Sequence, residues 1–288
     1  MKTLLIAAAF ITPTFLTEPP EHKSPDHNPP DHKAPAPEPK PAKPAATLPA
    51  PLPPPLPAVS ALAAKDPAAA RRADEALTQL REGNERWVSG TPNHPNTTTQ
   101  RRQEVSQGQQ PFAAILTCAD SRLPAERLFD RGVGDLFVIR VAGNVAGDSE
   151  TGTIEYGLEH LKAPLLVVMG HTKCGAVAAA ASNGELHGKV AGLVAHIKPA
   201  VERAQRNNPR ANPEDLARLA VKENVWQTIY DLLKESDVCR DKVAAGQVRI
   251  VGAICDITTG KVEWLGEHPW QSELLGALAA GSTKLDDH

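Results

Sequence analysis

The chain has 288 residues, with 31 Lys and Arg set against 34 Asp and Glu for a formal net charge of −3. A balance this near neutral, without basic clusters interleaved with aromatics, argues against nucleic acid as a partner and directs the search for function to a site rather than to charge. Composition also divides the chain: 18 of its 27 prolines precede Ala68, so the first quarter cannot build the core that residues 68–266 can.

At the N-terminus, Lys2 is followed by the apolar stretch Leu4–Ile11, which Pro13 interrupts. That stretch is too short to span a bilayer comfortably and reads as the core of a signal peptide over residues 1–17. Phe15-Leu16-Thr17 is a poor cleavage site, so an uncleaved anchor is the alternative, and only then would the membrane be a partner. The expectation is an exported protein, periplasmic or secreted. Residues 18–67 form a Pro/Ala/Lys-rich linker expected to stay extended. It carries an acid followed by His three times, at Glu21-His22, Asp26-His27 and Asp31-His32. A tether accounts for this better than a metal-scavenging arm, because three histidines on a loose chain bind metal weakly.

The folded part, residues 68–266, opens with a helix over Ala73–Val88, where Ala76, Leu77, Leu80 and Trp87 recur at helical spacing. Three apolar runs follow. Phe112–Thr117 ends on Cys118, Leu136–Val141 ends near Gly143-Asn144, and Leu165–Met169 ends on Gly170-His171. Helical stretches at Leu123–Phe129 and Thr151–Leu161 separate them, and longer ones are expected over Ala191–Gln205 and Pro213–Lys234. A last pair of strands, Val248–Cys255 and Lys261–Leu265, flanks a turn at Thr258-Thr259-Gly260. Continuous apolar strands alternating with helices predict an α/β fold: a mainly parallel central β-sheet flanked by helices, with an N-terminal helical extension. Residues 267–288 read as a surface or loose tail.

The chemistry concentrates at Cys118-Ala119-Asp120-Ser121-Arg122 and His171-Thr172-Lys173-Cys174. Two thiols and an imidazole are ligands that zinc prefers, and three of them leave a fourth tetrahedral position for water or one further side chain. His171 and Cys174 are close enough in sequence to address one ion, while Cys118 must arrive from a distant segment. Both halves fall at carboxyl ends of strands, where open α/β sheets place their ligands. Cys255 lies in a strand-like run and is expected to pack as a small hydrophobe; a bridge to Cys239 is left open, since sequence supplies no geometry. His160 and His196 have no ligating neighbours and are read as surface or helix-packing residues.

These residues resemble the β-class carbonic anhydrases over about 73–265. The resemblance rests on Cys118 to Arg122, Val141-Ala142-Gly143-Asn144, Gly152 to Tyr156, Gly170 to Ala176, and Gly252 to Leu265, in that order. It implies reversible hydration of carbon dioxide to bicarbonate and a proton through a zinc-bound hydroxide, with one Zn2+ per subunit held by Cys118, His171 and Cys174. It also implies that Asp120 and Arg122 form a dyad. Arg122 would hold the carboxylate off the metal, and Asp120 would become a fourth ligand in a closed state. Gln109, or Gln110 beside it, would reach the substrate of a partner subunit. The Gly175 N–H would meet bicarbonate, and Phe137, Ala142 and Tyr156 would line the carbon dioxide pocket. Relatives that bind regulatory bicarbonate have a tryptophan where Ile115 stands, so that regulation is not expected. The family's active sites lie at dimer interfaces, so a homodimer or a higher homo-oligomer is implied. Two rivals remain: hydrolysis of carbon disulfide or carbonyl sulfide on the same scaffold, and zinc storage without catalysis. Storage requires neither Asp120 nor Arg122.

Overall fold

The structure, a computed structural model, describes residues 66–182, 184 and 186–279. The apolar N-terminal stretch, most of the Pro-rich tract with its acid–His repeats, and residues 280–288 lie outside the described residues.

Helix α1 runs from Pro67 to Ser89, six residues earlier than the periodicity of Ala73–Val88 predicts. Its start is set by capping: Asp66 accepts hydrogen bonds from the N–H groups of Ala68 and Ala69 at 3.1 and 3.0 Å, and Pro67 has no N–H to leave unpaired. Ala69, Ala73, Ala76 and Leu80 form its buried stripe. A polar helix that periodicity missed, α2 (Thr99–Glu104), precedes the first strand.

The sheet is built from β1 (Ala113–Thr117), β2 (Leu136–Arg140), β3 (Leu165–His171), β4 (Arg249–Cys255) and β5 (Val262–Gly266), in the order β2-β1-β3-β4-β5. The first three pairings are parallel and β4–β5 is antiparallel, closed by the turn expected at Thr258–Gly260. Every residue of β1 and β3 is buried, which is why their apolar runs do not alternate. Alternate strand residues feed two cores. Ile115, Val167, Met169 and Val251 face one, with Leu80, Leu128 and Val177. Leu116, Val168 and Ile250 face the other, with Ile154, Leu158 and Ile229.

The connecting helices are α3 (Ala125–Leu128), α4 (Asp148–Glu159), α5 (Gly175–Ala181), α6 (Val190–Ala195), α7 (Lys198–Asn207), α8 (Pro213–Glu235) and α9 (Asp237–Ala244). The helix predicted over Ala191–Gln205 is divided between α6 and α7 at His196-Ile197: Pro199 has no N–H to offer the Ala195 carbonyl and falls in the first turn of α7, where that loss costs least. Residues 271–279, expected in a loose tail, instead form α10 (Gln271–Ala279), which buries Leu274 and Leu275 in the second core. No helix among the described residues is long and apolar enough to cross a membrane.

Candidate metal centre

Cys118 follows β1 directly, His171 ends β3, and Cys174 precedes the first turn of α5. Because β1 and β3 are parallel neighbours, both halves of the motif emerge at the same edge of the sheet. Lys173 makes the turn between His171 and Cys174 with a left-handed φ of 58°. The ligating atoms of Cys118, His171 and Cys174 all lie within 4.8 Å of one another, and all three residues are buried. Among the described residues this is the group of His, Cys and carboxylate side chains able to hold a metal ion.

The imidazole is already oriented for that task. His171 Nδ1 lies 2.9 Å from the carbonyl oxygen of Thr172, which can only accept, so the proton sits on Nδ1 and the Nε2 lone pair is left facing inward. Nε2 is buried without a hydrogen-bond partner. A buried polar atom left unpaired is costly, and a cation between Nε2 and the two sulfurs resolves it.

The thiols are equally biased. The Cys118 thiol is lowered to about 4 by its hydrogen bond with Cys174, against the effect of burial, helped by His171 and the N–H groups of Gly143 and Asp120. Cys174 is pushed up because it shares its hydrogen with Cys118 and is itself buried. The pair thus holds one negative charge readily, and the second proton is the one a dication displaces. The donor set fits zinc: two soft sulfurs, one imidazole, and room in the coordination number for a fourth group.

Asp120 stands beside this centre and belongs to Arg122. Asp120 Oδ1 accepts from the Arg122 backbone N–H at 3.0 Å and from Nε at 2.8 Å, and Oδ2 accepts from Nη2 at 2.6 Å. This two-pronged grip holds the Asp120 carboxyl well below the usual carboxylate range. Asp120 Oδ2 lies 3.9 Å from His171 Nε2. Arg140, which no motif singles out, ties the loop to β2 by donating to the Asp120 carbonyl at 2.6 Å and the Cys118 carbonyl at 3.3 Å.

The other candidate residues are more dispersed. Gly175 opens α5 and is exposed. Gln109 and Gln110 are exposed on the loop before β1. Phe137 and Tyr156 lie together, ring centroids 6.0 Å apart, with Phe137 packed against the second core rather than the core that contains Cys118 and Cys174. Tyr156 is 48% exposed and also stacks on His160 at 5.2 Å. Ala142 belongs to a 3-10 turn, Ala142–Asn144, that continues from β2. Ile115 is fully buried in β1. All four cysteines are free and buried, so Cys239 and Cys255 are unbridged.

A mainly parallel sheet with two thiols and an imidazole converging at the carboxyl ends of adjacent strands defines an α/β protein with a candidate three-ligand metal site. Comparison with known proteins makes this specific. The family signature described as Carbonic anhydrase matches residues 113–262. Carbonic anhydrase 2 of Mycobacterium tuberculosis is 38% identical over 187 residues, covering 63% of this chain and 87% of the relative. The carbonic anhydrase of Mycolicibacterium smegmatis is 38% identical over 188 residues, covering 64% and 89%. Among solved structures, a tetrameric β-carbonic anhydrase from Sordaria macrospora superimposes with a TM-score of 0.53 at 27% identity, covering 57% of this chain and 85% of that one. A Coccomyxa β-carbonic anhydrase in complex with acetazolamide shares the fold, with a TM-score of 0.58 at 23% identity, covering 73% and 99%. The chain belongs to the β-class carbonic anhydrase family, and is accordingly an enzyme of the lyase type.

Proposed function

We propose that the protein interconverts carbon dioxide and bicarbonate with one zinc per subunit held by Cys118, His171 and Cys174. The observation that carries this reading is the convergence of those three buried ligands beside a carboxylate already engaged by an arginine. When bound, zinc supplies the Lewis acidity that makes a water nucleophilic near neutral pH. Asp120 would accept a hydrogen bond from the attacking water and orient it toward the substrate carbon. Arg122 holds the Asp120 carboxylate by Nε and Nη2; released from that grip, Asp120 would be free to serve as a further zinc ligand. Storage of zinc would need no such pair, so the Asp120–Arg122 geometry favours catalysis. Gly175 offers its N–H to the bicarbonate oxygen.

The working unit is a homo-oligomer. Strand β2 is an edge of the sheet, and beside it Val133 and Tyr156 are 41% and 48% exposed. An edge left unpaired among the described residues, with exposed apolar groups, suits a second copy of the chain, which would bring Gln109, Phe137 and Tyr156 toward its partner's substrate. The apolar segment Leu4–Ile11 supports export before the enzyme acts; cell fractionation checks this, and protein confined to the cytoplasm contradicts it.

Stripping the purified protein with a chelator and adding metal back tests the zinc assignment. Hydration activity is expected to vanish with the metal and return with one equivalent of zinc per subunit. Activity that survives complete stripping contradicts it.

A further inference from the structure

The 3-10 turn Ala142–Asn144 has an unusual backbone geometry. Gly143 (φ 76°, ψ 13°) and Asn144 (φ 47°) are both left-handed, an arrangement two successive residues keep only where their surroundings hold it. A side chain at 143 would also meet Ile197 Cδ1 at 2.7 Å and Ala176 Cβ at 3.2 Å, so glycine is required there for space as well as for conformation. The turn delivers one group to the metal centre: the Gly143 N–H donates to Cys118 Sγ at 3.3 Å.

What holds the turn comes from α8. Its buried side is mostly apolar, with Ala220, Val221, Val225, Ile229 and Leu232; of the polar residues that interrupt it, Gln227 pairs with Arg203 and Asp231, whereas Asn224 and Thr228, one turn apart and 1% and 2% exposed, reach the turn. Asn224 Nδ2 donates to the Gly143 carbonyl at 2.7 Å. The Thr228 hydroxyl shares its single hydrogen between the Asn144 carbonyl at 3.1 Å and the Asn224 carbonyl at 2.9 Å. Polar side chains in a buried apolar face are costly unless their partners matter, and these two address the consecutive carbonyls of the turn that supports Cys118.

We propose that Asn224 and Thr228 are positioning residues of the metal centre: by fixing the Gly143 and Asn144 carbonyls they keep the Gly143 N–H on the Cys118 sulfur and so set how much charge that thiolate donates to the metal. The inference rests on the zinc reading above. Its physical basis is general, since hydrogen bonds to a ligating sulfur withdraw charge from it and tune the metal behind it.

The test uses the full-length protein loaded with cobalt(II), whose sulfur-to-metal charge-transfer absorption reports thiolate donation directly, whatever the activity. Thr228→Val keeps the shape and removes the hydroxyl, Thr228→Ser keeps the hydroxyl, and Asn224→Leu removes the amide. Thr228→Val and Asn224→Leu are expected to move the band to longer wavelength and to shorten zinc retention against a chelator by about tenfold, with Thr228→Ser at the parental position. If Asn224→Leu fails to fold, the Thr228 pair decides alone. A parental band in Thr228→Val overturns the inference even where stability falls, because a merely structural role would lower stability without moving the band. A band displaced equally in Thr228→Val and Thr228→Ser overturns it too. A parent protein without any sulfur-to-cobalt band defeats the zinc reading and this inference together, whereas an unmoved band in a normal parent defeats only the inference.

Discussion

Asp130 keeps a carboxylate where almost no water reaches it: its side chain is fully buried. Burial raises its pKa, but the Asn93 N–H at 2.9 Å, Arg86 Nε at 2.6 Å and the His94 N–H at 2.8 Å outweigh that and leave it below the usual range. A depressed carboxyl contributes stability that is present above its unfolded pKa of about 3.9 and is lost as pH falls through the folded value. Asp130→Asn should therefore cost about 2–4 kcal/mol at pH 7, since an amide cannot satisfy both N–H donors and the guanidinium. In urea melts the gap between parent and variant should narrow as pH falls from about 5 to about 3; a gap independent of pH would contradict the assignment. Of residues like these the sequence reveals little. Asp130 and Arg86 are 44 positions apart, and Asn84 of α1 is anchored to the Gly260 carbonyl and the Val262 N–H, 176 and 178 positions away. Such partners are backbone groups or distant charges with no local pattern. The grouping of Cys118, His171 and Cys174 was legible because His171 and Cys174 share a short segment and Cys118 ends an apolar run.

At the scale of elements, Gly83 in the middle of α1 separates propensity from packing. Helix propensity alone predicts that Gly83→Ala stabilises by about 1 kcal/mol. In the structure α1 presses its backbone onto the loop after α3, and a methyl at 83 would collide with the Phe129 carbonyl. The substitution should cost about 2 kcal/mol instead, read as a lower denaturation midpoint; a raised midpoint would show that this contact is absent. The strands were legible because burial on both faces leaves an unbroken apolar run, and all five fall within two residues of their predicted limits. Elements defined by caps were not. The early start of α1 depends on Asp66, and α9 begins where Ser236 Oγ accepts from the Cys239 N–H at 3.0 Å, signals carried by one residue rather than by a period. The clamp of Asn224 and Thr228 on the turn after β2 was hidden for the same reason.

For the molecule as a whole, a sheet edge left unpaired among the described residues and proposed substrate contacts that lie apart on one subunit argue for assembly. Sedimentation of the full-length protein should give a mass of two 30.7 kDa chains or a multiple of two; a monomer that retains full activity would contradict the interface reading. Catalysis as proposed depends on pairing the candidate metal triad with the Asp120–Arg122 dyad. The decisive measurement is stopped-flow hydration of carbon dioxide by protein of known zinc content, beside an Asp120→Ala variant. Fast, zinc-dependent turnover is expected in the parent, with a loss of at least about tenfold in a variant that still holds its zinc. Stoichiometric zinc with no turnover from neutral to mildly alkaline pH, or a variant as fast as its parent, would contradict it.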